Sequence, residues 1–205
     1  MRKTRTKQNE KQDKKRELLQ AAYQEVAERG FAQVTLEKIA ERAKVSKGIT
    51  IYYFESKETL LRELFQMLVK ELLDKMKAKI ILTEDPIERL NAIIDTFFSC
   101  ANQSRAFYAT YLDLASFAVR NESFKPISAA FYHGCSSIER EVISYGIEKG
   151  IFSVADIDRA IVTFQALLDG LMLRWLSEPD PMFAFPLYRE SCRKQALTIV
   201  GVETD

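Results

Sequence analysis

The side chains whose types and spacing could do chemistry gather between Thr35 and Lys57, and that chemistry is recognition rather than bond making. Lys44, Lys47 and Lys57 offer cations to phosphate, and Thr35 offers a hydroxyl at the start of a helix, where unpaired N–H groups also favour an anion. Thr50, Tyr52 and Tyr53 add hydroxyls, and the tyrosine rings can lie against a sugar or a base methyl. Lys47 and Thr50 are expected to project outward near the start of a short helix. Phe54 is expected to be a core anchor.

Such residues can read a duplex only if a helix carries them into a groove. Leu36, Ile39, Ala40 and Ala43 recur three and four residues apart, which is one apolar helical face. Thr35 suits the cap of this helix, with Lys38 at the third position in place of the Glu of a capping box. A second short helix starts near Ser46, a plausible cap in turn. Helix, tight turn, helix is the unit that places a second helix in the major groove.

Upstream, residues 1 to 16 carry eight basic side chains against Glu10 and Asp13, which predicts a flexible basic arm over 1–13. Leu18, Leu19, Ala22, Val26 and Ala27 predict a first helix over 13–29, stopped at Gly30 and followed by Phe31 as an apolar plug. Ser56 suits the cap of a long helix over 57–80, striped by Leu60, Leu61, Leu64, Leu68 and Leu72. A small helical domain over 14–56 and a larger domain over 57–205 follow from this layout; the helix pair alone is also a common packing unit, and it is the resemblance described next that makes 14–56 the expected DNA-binding domain.

Residues 21 to 61 resemble the N-terminal domain of the TetR family of transcriptional regulators. The matching motifs are Glu28-Arg29-Gly30-Phe31, Ile39-Ala40 with Ala43, Val45-Ser46-Lys47-Gly48, and Tyr53-Phe54-Glu55-Ser56-Lys57-Glu58 before Leu60-Leu61. The sequence departs from the family at Ile49 and Ile51, where a small hydroxyl residue and a tyrosine are common. That moves the expected tyrosine–phosphate contact to Tyr52. The resemblance implies a dimer on an approximately palindromic operator, a ligand pocket in the larger domain, and release of DNA by a small, mostly apolar effector. A corepressor would use the same linkage with the opposite preference.

The larger domain reads as a helical bundle, giving an all-α chain of about nine helices. Its middle is rich in aromatic residues, and the pocket candidates are Phe97, Phe98, Phe107, Tyr108, Tyr111 and Phe131. His133, Gln165 and Asp169 are polar candidates, with Asn102 and Asp113 behind them. The same rings could also fill a core, and His133 suits a hydrogen bond within it. Towards the C-terminus, Ile161, Phe164, Leu168, Leu171, Met172 and Trp175, then Cys192, Ala196 and Ile199, are candidates for a dimer interface. Gly170 would permit close backbone approach.

Composition sets bounds on the alternatives. Apolar residues make up 47% of 205, with seven glycines and five prolines, which favours long helices over a turn-rich sheet. Residues 1–62 hold 15 basic and 9 acidic side chains, and the remainder 15 and 20, so the excess of positive charge lies with the helix pair. Cys100, Cys135 and Cys192 are far apart and lack metal-ligand spacing, so thiols in the interior are expected. With one histidine, no Gly-rich phosphate loop and no HExxH, no enzyme, metal or cofactor is expected. No apolar run approaches the ~20 residues of a membrane span, and a cytoplasmic location is expected. The competing class is a helical dimer that uses its N-terminal module on a protein partner.

Overall fold

The computed structural model describes residues 7–203. Among them are nine α-helices: α1 (Lys7–Arg29), α2 (Leu36–Arg42), α3 (Lys47–Phe54), α4 (Lys57–Ile80), α5 (Pro86–Phe97), α6 (Ala101–Arg120), α7 (Lys125–Glu148), α8 (Ile157–Leu176) and α9 (Pro181–Ile199). A 3-10 turn, Phe31–Gln33, joins α1 to α2. The all-α architecture anticipated from periodicity is the one observed. No described helix is long and apolar enough to cross a membrane.

Helix boundaries follow local chemistry. The Thr35 hydroxyl accepts the Lys38 N–H at 3.2 Å, and the Ser56 hydroxyl accepts the Thr59 N–H at 3.1 Å. Asp85, Asp156 and Asp180 do the same for α5, α8 and α9, with Pro86 and Pro181 in the first turns where a missing N–H costs nothing. Ser46 differs from expectation: its backbone is extended as a cap residue's should be, but its side chain accepts no capping hydrogen bond. Gly30 ends α1 at φ +79°, a region that a side chain would strain.

α1 starts at Lys7 rather than near Asp13. Lys14 pairs with Glu17 one turn on at 2.7 Å, and the ammonium groups of Lys11 and Lys15 lie 5.3 Å and 5.5 Å from the ring centres of Tyr52 and Phe54. These contacts hold the polar first turns, which have no apolar periodicity of their own. Residues 1–6 of the basic segment lie outside the described residues.

The described residues divide into two compact units, one of residues up to 68 with 109–127, the other of residues 69–108 with those from 128 on. In the first, α1 packs on α2 and α2 on α3. Leu18, Ala22, Val26, Ile39, Phe54 and Leu61 are buried at their centre, as the apolar stripes required. In the second, α8 packs along α9, and α9 against α5, around Trp175, Met172 and Cys192.

Candidate DNA interface and effector site

The recognition helix α3 is fixed to its unit by Thr50 and Phe54, one turn apart and both fully buried. Burial corrects the expectation for Thr50, which cannot face DNA; its hydroxyl is buried with no hydrogen-bond partner among the described residues. The helical repeat accounts for this, because position 50 shares a face with the anchoring Phe54. The outward face carries Lys47, Gly48, Ile49, Ile51 and Tyr52, all exposed, with Tyr53 half-buried at its edge.

α2 is held against α1 by charge. The Arg42 Nε donates to the buried Glu25 carboxylate at 2.6 Å, and its guanidinium also pairs with Glu28. The second Glu25 oxygen lies 3.1 Å from the Arg29 Nε. Arg42 hydrogen bonds to Glu28 and then Glu25 raise the guanidinium's pKa above its usual range.

The turn between α2 and α3 passes through Lys44 at φ +54°, where the Val45 N–H returns to the Ala40 carbonyl at 2.9 Å. A side chain in this left-handed region costs about 1 kcal/mol that a glycine would avoid. Lys44 is exposed, as is Lys47. Lys47 makes one loose ion pair, 3.7 Å from Glu37, between two exposed side chains.

Lys57 is placed differently. Its ammonium donates to the Phe31 and Ala32 carbonyls at 2.9 Å and 3.4 Å and lies 5.1 Å from the centre of the Phe31 ring. Burial lowers its pKa. Phe31 is therefore the expected plug, but with more fastenings than an apolar plug needs. Its ring lies 4.5 Å from that of Phe117, and its N–H donates to Asp113 at 2.8 Å. Asp113, considered above for a pocket, instead ties α6 to the turn that precedes α2.

The pocket candidates do not all share one site. Tyr111 belongs to the first unit, where its ring centre is 6.5 Å from that of Phe65. Phe97 and Phe98 are buried core of the second unit, and Phe98 and Trp175 flank Phe185 at 5.6 Å and 5.1 Å. His133 is exposed, which corrects the expected core hydrogen bond. Phe107 is half-buried and Phe131 buried, the latter 5.3 Å from the Tyr132 ring.

Tyr108, Gln165 and Asp169 do come together, around a residue that the aromatic pattern did not single out. Glu139 on α7 is 3% exposed and accepts the Gln165 side-chain amide at 2.8 Å; that amide also reaches Ser136 at 3.1 Å. The Tyr108 hydroxyl donates to the Asp169 carboxylate at 2.7 Å. Burial pushes the Glu139 carboxyl up to about 7; the Gln165 hydrogen bond opposes that shift, and the Asp169 charge adds to it. Asp169 is raised by burial against the opposing bond from Tyr108. Cys135 beside them is raised by burial and by both acids. Among the described residues, no Lys or Arg pairs with either carboxylate. The sequence signal was present: Phe131, Cys135, Ile138, Glu139 and Val142 form one buried stripe of α7, and an acid interrupts it.

Seven of the interface candidates on α8 and α9 are corrected by burial within the single chain. Ile161, Phe164, Leu168, Met172, Trp175, Cys192 and Ala196 are all buried there, while Leu171 and Ile199 are half-buried. The apolar side chains that these helices leave in solvent are a different set. Val162 and Leu173 stand on α8 with Ala166 and Gly170 between them, and Met182, Phe183 and Leu187 on α9, with Phe183 86% exposed. A Cβ at Gly170 would meet nothing within 4 Å. Trp175 also donates its indole N–H to the Pro181 carbonyl at 2.6 Å, which locks the turn between the two helices.

This arrangement has close relatives. Residues 18–64 match the family model of bacterial regulatory proteins of the tetR family, and residues 86–199 match that of the BetI-type transcriptional repressor C-terminal domain. The chain belongs to the TetR family of transcriptional regulators. It is 34% identical over 161 residues to the HTH-type transcriptional regulator BetI of Brucella anthropi, covering 78% of this chain and 80% of that protein. The fold is shared with a TetR regulator from Haloarcula marismortui, with a TM-score of 0.80 and 24% identity over 92% of this chain and 97% of the other. It is shared equally with a regulator from Saccharomonospora viridis solved in complex with choline, with a TM-score of 0.82 and 23% identity over 88% and 94% of the two chains. Family membership makes this a DNA-binding regulator rather than an enzyme, and one of a class whose regulation is dimeric and ligand-responsive.

Proposed function

We propose that this protein is a cytoplasmic repressor that binds a palindromic operator as a homodimer and leaves it when a small cationic effector with a mostly apolar body occupies the second unit. The observation that carries the effector class is the buried Glu139 with the half-buried Asp169 among aromatic rings, with no basic side chain paired to either acid among the described residues. A buried carboxylate with a second, half-buried one nearby is costly to ionise, and a bound cation relieves that cost while the rings accept its apolar groups. The choline complex of the Saccharomonospora viridis regulator, a structural neighbour, supports the same class.

The exposed apolar face formed by Val162, Leu173, Phe183 and Leu187 supports self-association through α8 and α9, with Gly170 and Ala166 allowing helices to approach closely. A two-fold dimer would set its α3 helices about one DNA turn apart, near ~35 Å, and hence require a two-fold operator. Effector binding lowers operator affinity only by its preference for one of two arrangements.

The test is to enrich duplexes from a random pool, then titrate the bound operator with choline and with its neutral isostere 3,3-dimethylbutan-1-ol. Release by choline and not by the isostere is expected. Equal release by both would remove the cationic class, and tighter binding with choline would make the protein corepressor-dependent. Failure to enrich any two-fold site would remove the operator reading itself.

A further inference from the structure

We infer that Ile49 and Ile51 read thymine through its 5-methyl group, so that T·A pairs at two fixed positions of each operator half-site carry most of the sequence signal; the inference rests on the operator-binding reading above. The outward face of α3 has an unusual composition. Ile49 is 38% exposed, Ile51 42% and Tyr52 69%, whereas the only residues that fasten the helix from within are Thr50 and Phe54, both at 0%. From Lys47 to Phe54 there is no Arg, Asn, Gln, Asp or Glu. Of the side chains that pair with guanine or adenine edges in the major groove, this helix therefore carries only Lys47, at its first position. The apolar feature that the groove presents is the thymine methyl.

The fold itself gives no reason for the two isoleucines. β-Branched residues are slightly disfavoured in helices, and at 38% and 42% exposure neither isoleucine belongs to the buried core. Nor does it require Gly48, where an added Cβ would meet only the Ser46 hydroxyl at 3.8 Å, an ordinary contact. A bare backbone at the centre of the face lets the helix approach base edges closely, and Ile49 and Ile51 stand on either side of it. Charge selects duplex DNA as the occupant rather than an apolar protein surface. Lys44 and Lys47 flank the face, and Lys11 stands over the Tyr52 ring, in the part of the chain that carries the positive excess.

The decisive experiment replaces thymine by 2′-deoxyuridine, one position at a time, in the enriched operator and measures the Kd of the unaltered protein. Two positions per half-site are expected to lose about fourfold each, the factor for one buried methyl-sized group, while the remaining thymines are indifferent. Ile49→Ala should abolish the loss at one of the two positions and Ile51→Ala at the other. Selective operator binding with no sensitivity to any 2′-deoxyuridine would overturn the inference and leave the repressor reading intact. Losses that persist unchanged in both variants would also overturn it. Absence of any enriched site would remove the repressor reading and this inference with it.

Discussion

The Asp113 carboxylate accepts the Phe31 N–H at 2.8 Å, across 82 residues of sequence, and so fastens α6 to the turn that leads into the DNA-reading helices. Asp113→Ala leaves that N–H without its partner and should lower stability to denaturant by about 1–2 kcal/mol. Asp113→Asn, which keeps an acceptor oxygen, should recover most of it. If movement of α6 is what the effector imposes, the alanine variant should bind operator but respond weakly to effector. A full response in a correctly folded variant would show that the bond is structural only.

Lys47 and Lys57 should separate in a salt titration. Lys47→Ala removes an exposed cation and should reduce the dependence of log affinity on log salt by about 1. Lys57→Ala instead removes a tether on the Phe31 and Ala32 carbonyls. Its main effect should be a lower denaturation midpoint, with little change of slope. Thr50→Val, which replaces a buried unpaired hydroxyl by a methyl, should leave operator affinity within about twofold and stability unchanged or slightly higher.

Leu173 and Trp175 stand two residues apart on α8 and should fail in different ways. Leu173→Glu places a charge on the exposed apolar face and should give folded monomers by sedimentation. Trp175→Ala empties a fully buried site and breaks the indole bond to Pro181, for a loss of about 3–5 kcal/mol in chain stability. A Leu173→Glu protein that remains dimeric would move the interface elsewhere.

Glu139 should give stability a particular pH dependence. Its folded carboxyl holds a proton up to about 7, chiefly through burial, against an ordinary value of 4.5. The folded chain thus binds more protons than the unfolded one between those values, so stability falls as pH rises through that window and levels off above it. The slope is at most about 1.4 kcal/mol per pH unit. Glu139→Gln should flatten the profile and raise stability near pH 8. It should also weaken binding of choline, because the attraction it removes is electrostatic.

Much of the fold was legible because its signals are local. Thr35, Pro86 and Gly30 mark helix ends by their own backbone and hydrogen-bonding properties, and the leucine stripe of α4 declares its buried face. The site was less legible, for two physical reasons. On α3, a helix of eight residues leaves the inward face uncertain by one position, and Thr50 lies on that face while its neighbours do not. On α8, periodicity identifies apolar faces without saying which one is covered by the same chain. Leu168 and Met172 face inward, whereas Val162 and Leu173 face solvent, and all four have the same chemistry. Glu139 is hard to read for a different reason: aromatic rings mark a pocket by composition, while the informative residue is a single acid among them.

The division of labour on α3 bears on how such a regulator changes over generations. Thr50 and Phe54 hold the helix, and none of Lys47, Ile49, Ile51 or Tyr52 takes part in that fully buried anchorage. Substitutions at the outward positions can redirect a descendant to new promoters at little cost to folding. Duplicated copies of the gene could therefore diverge in their targets first, while the scaffold that senses the effector stays as it was.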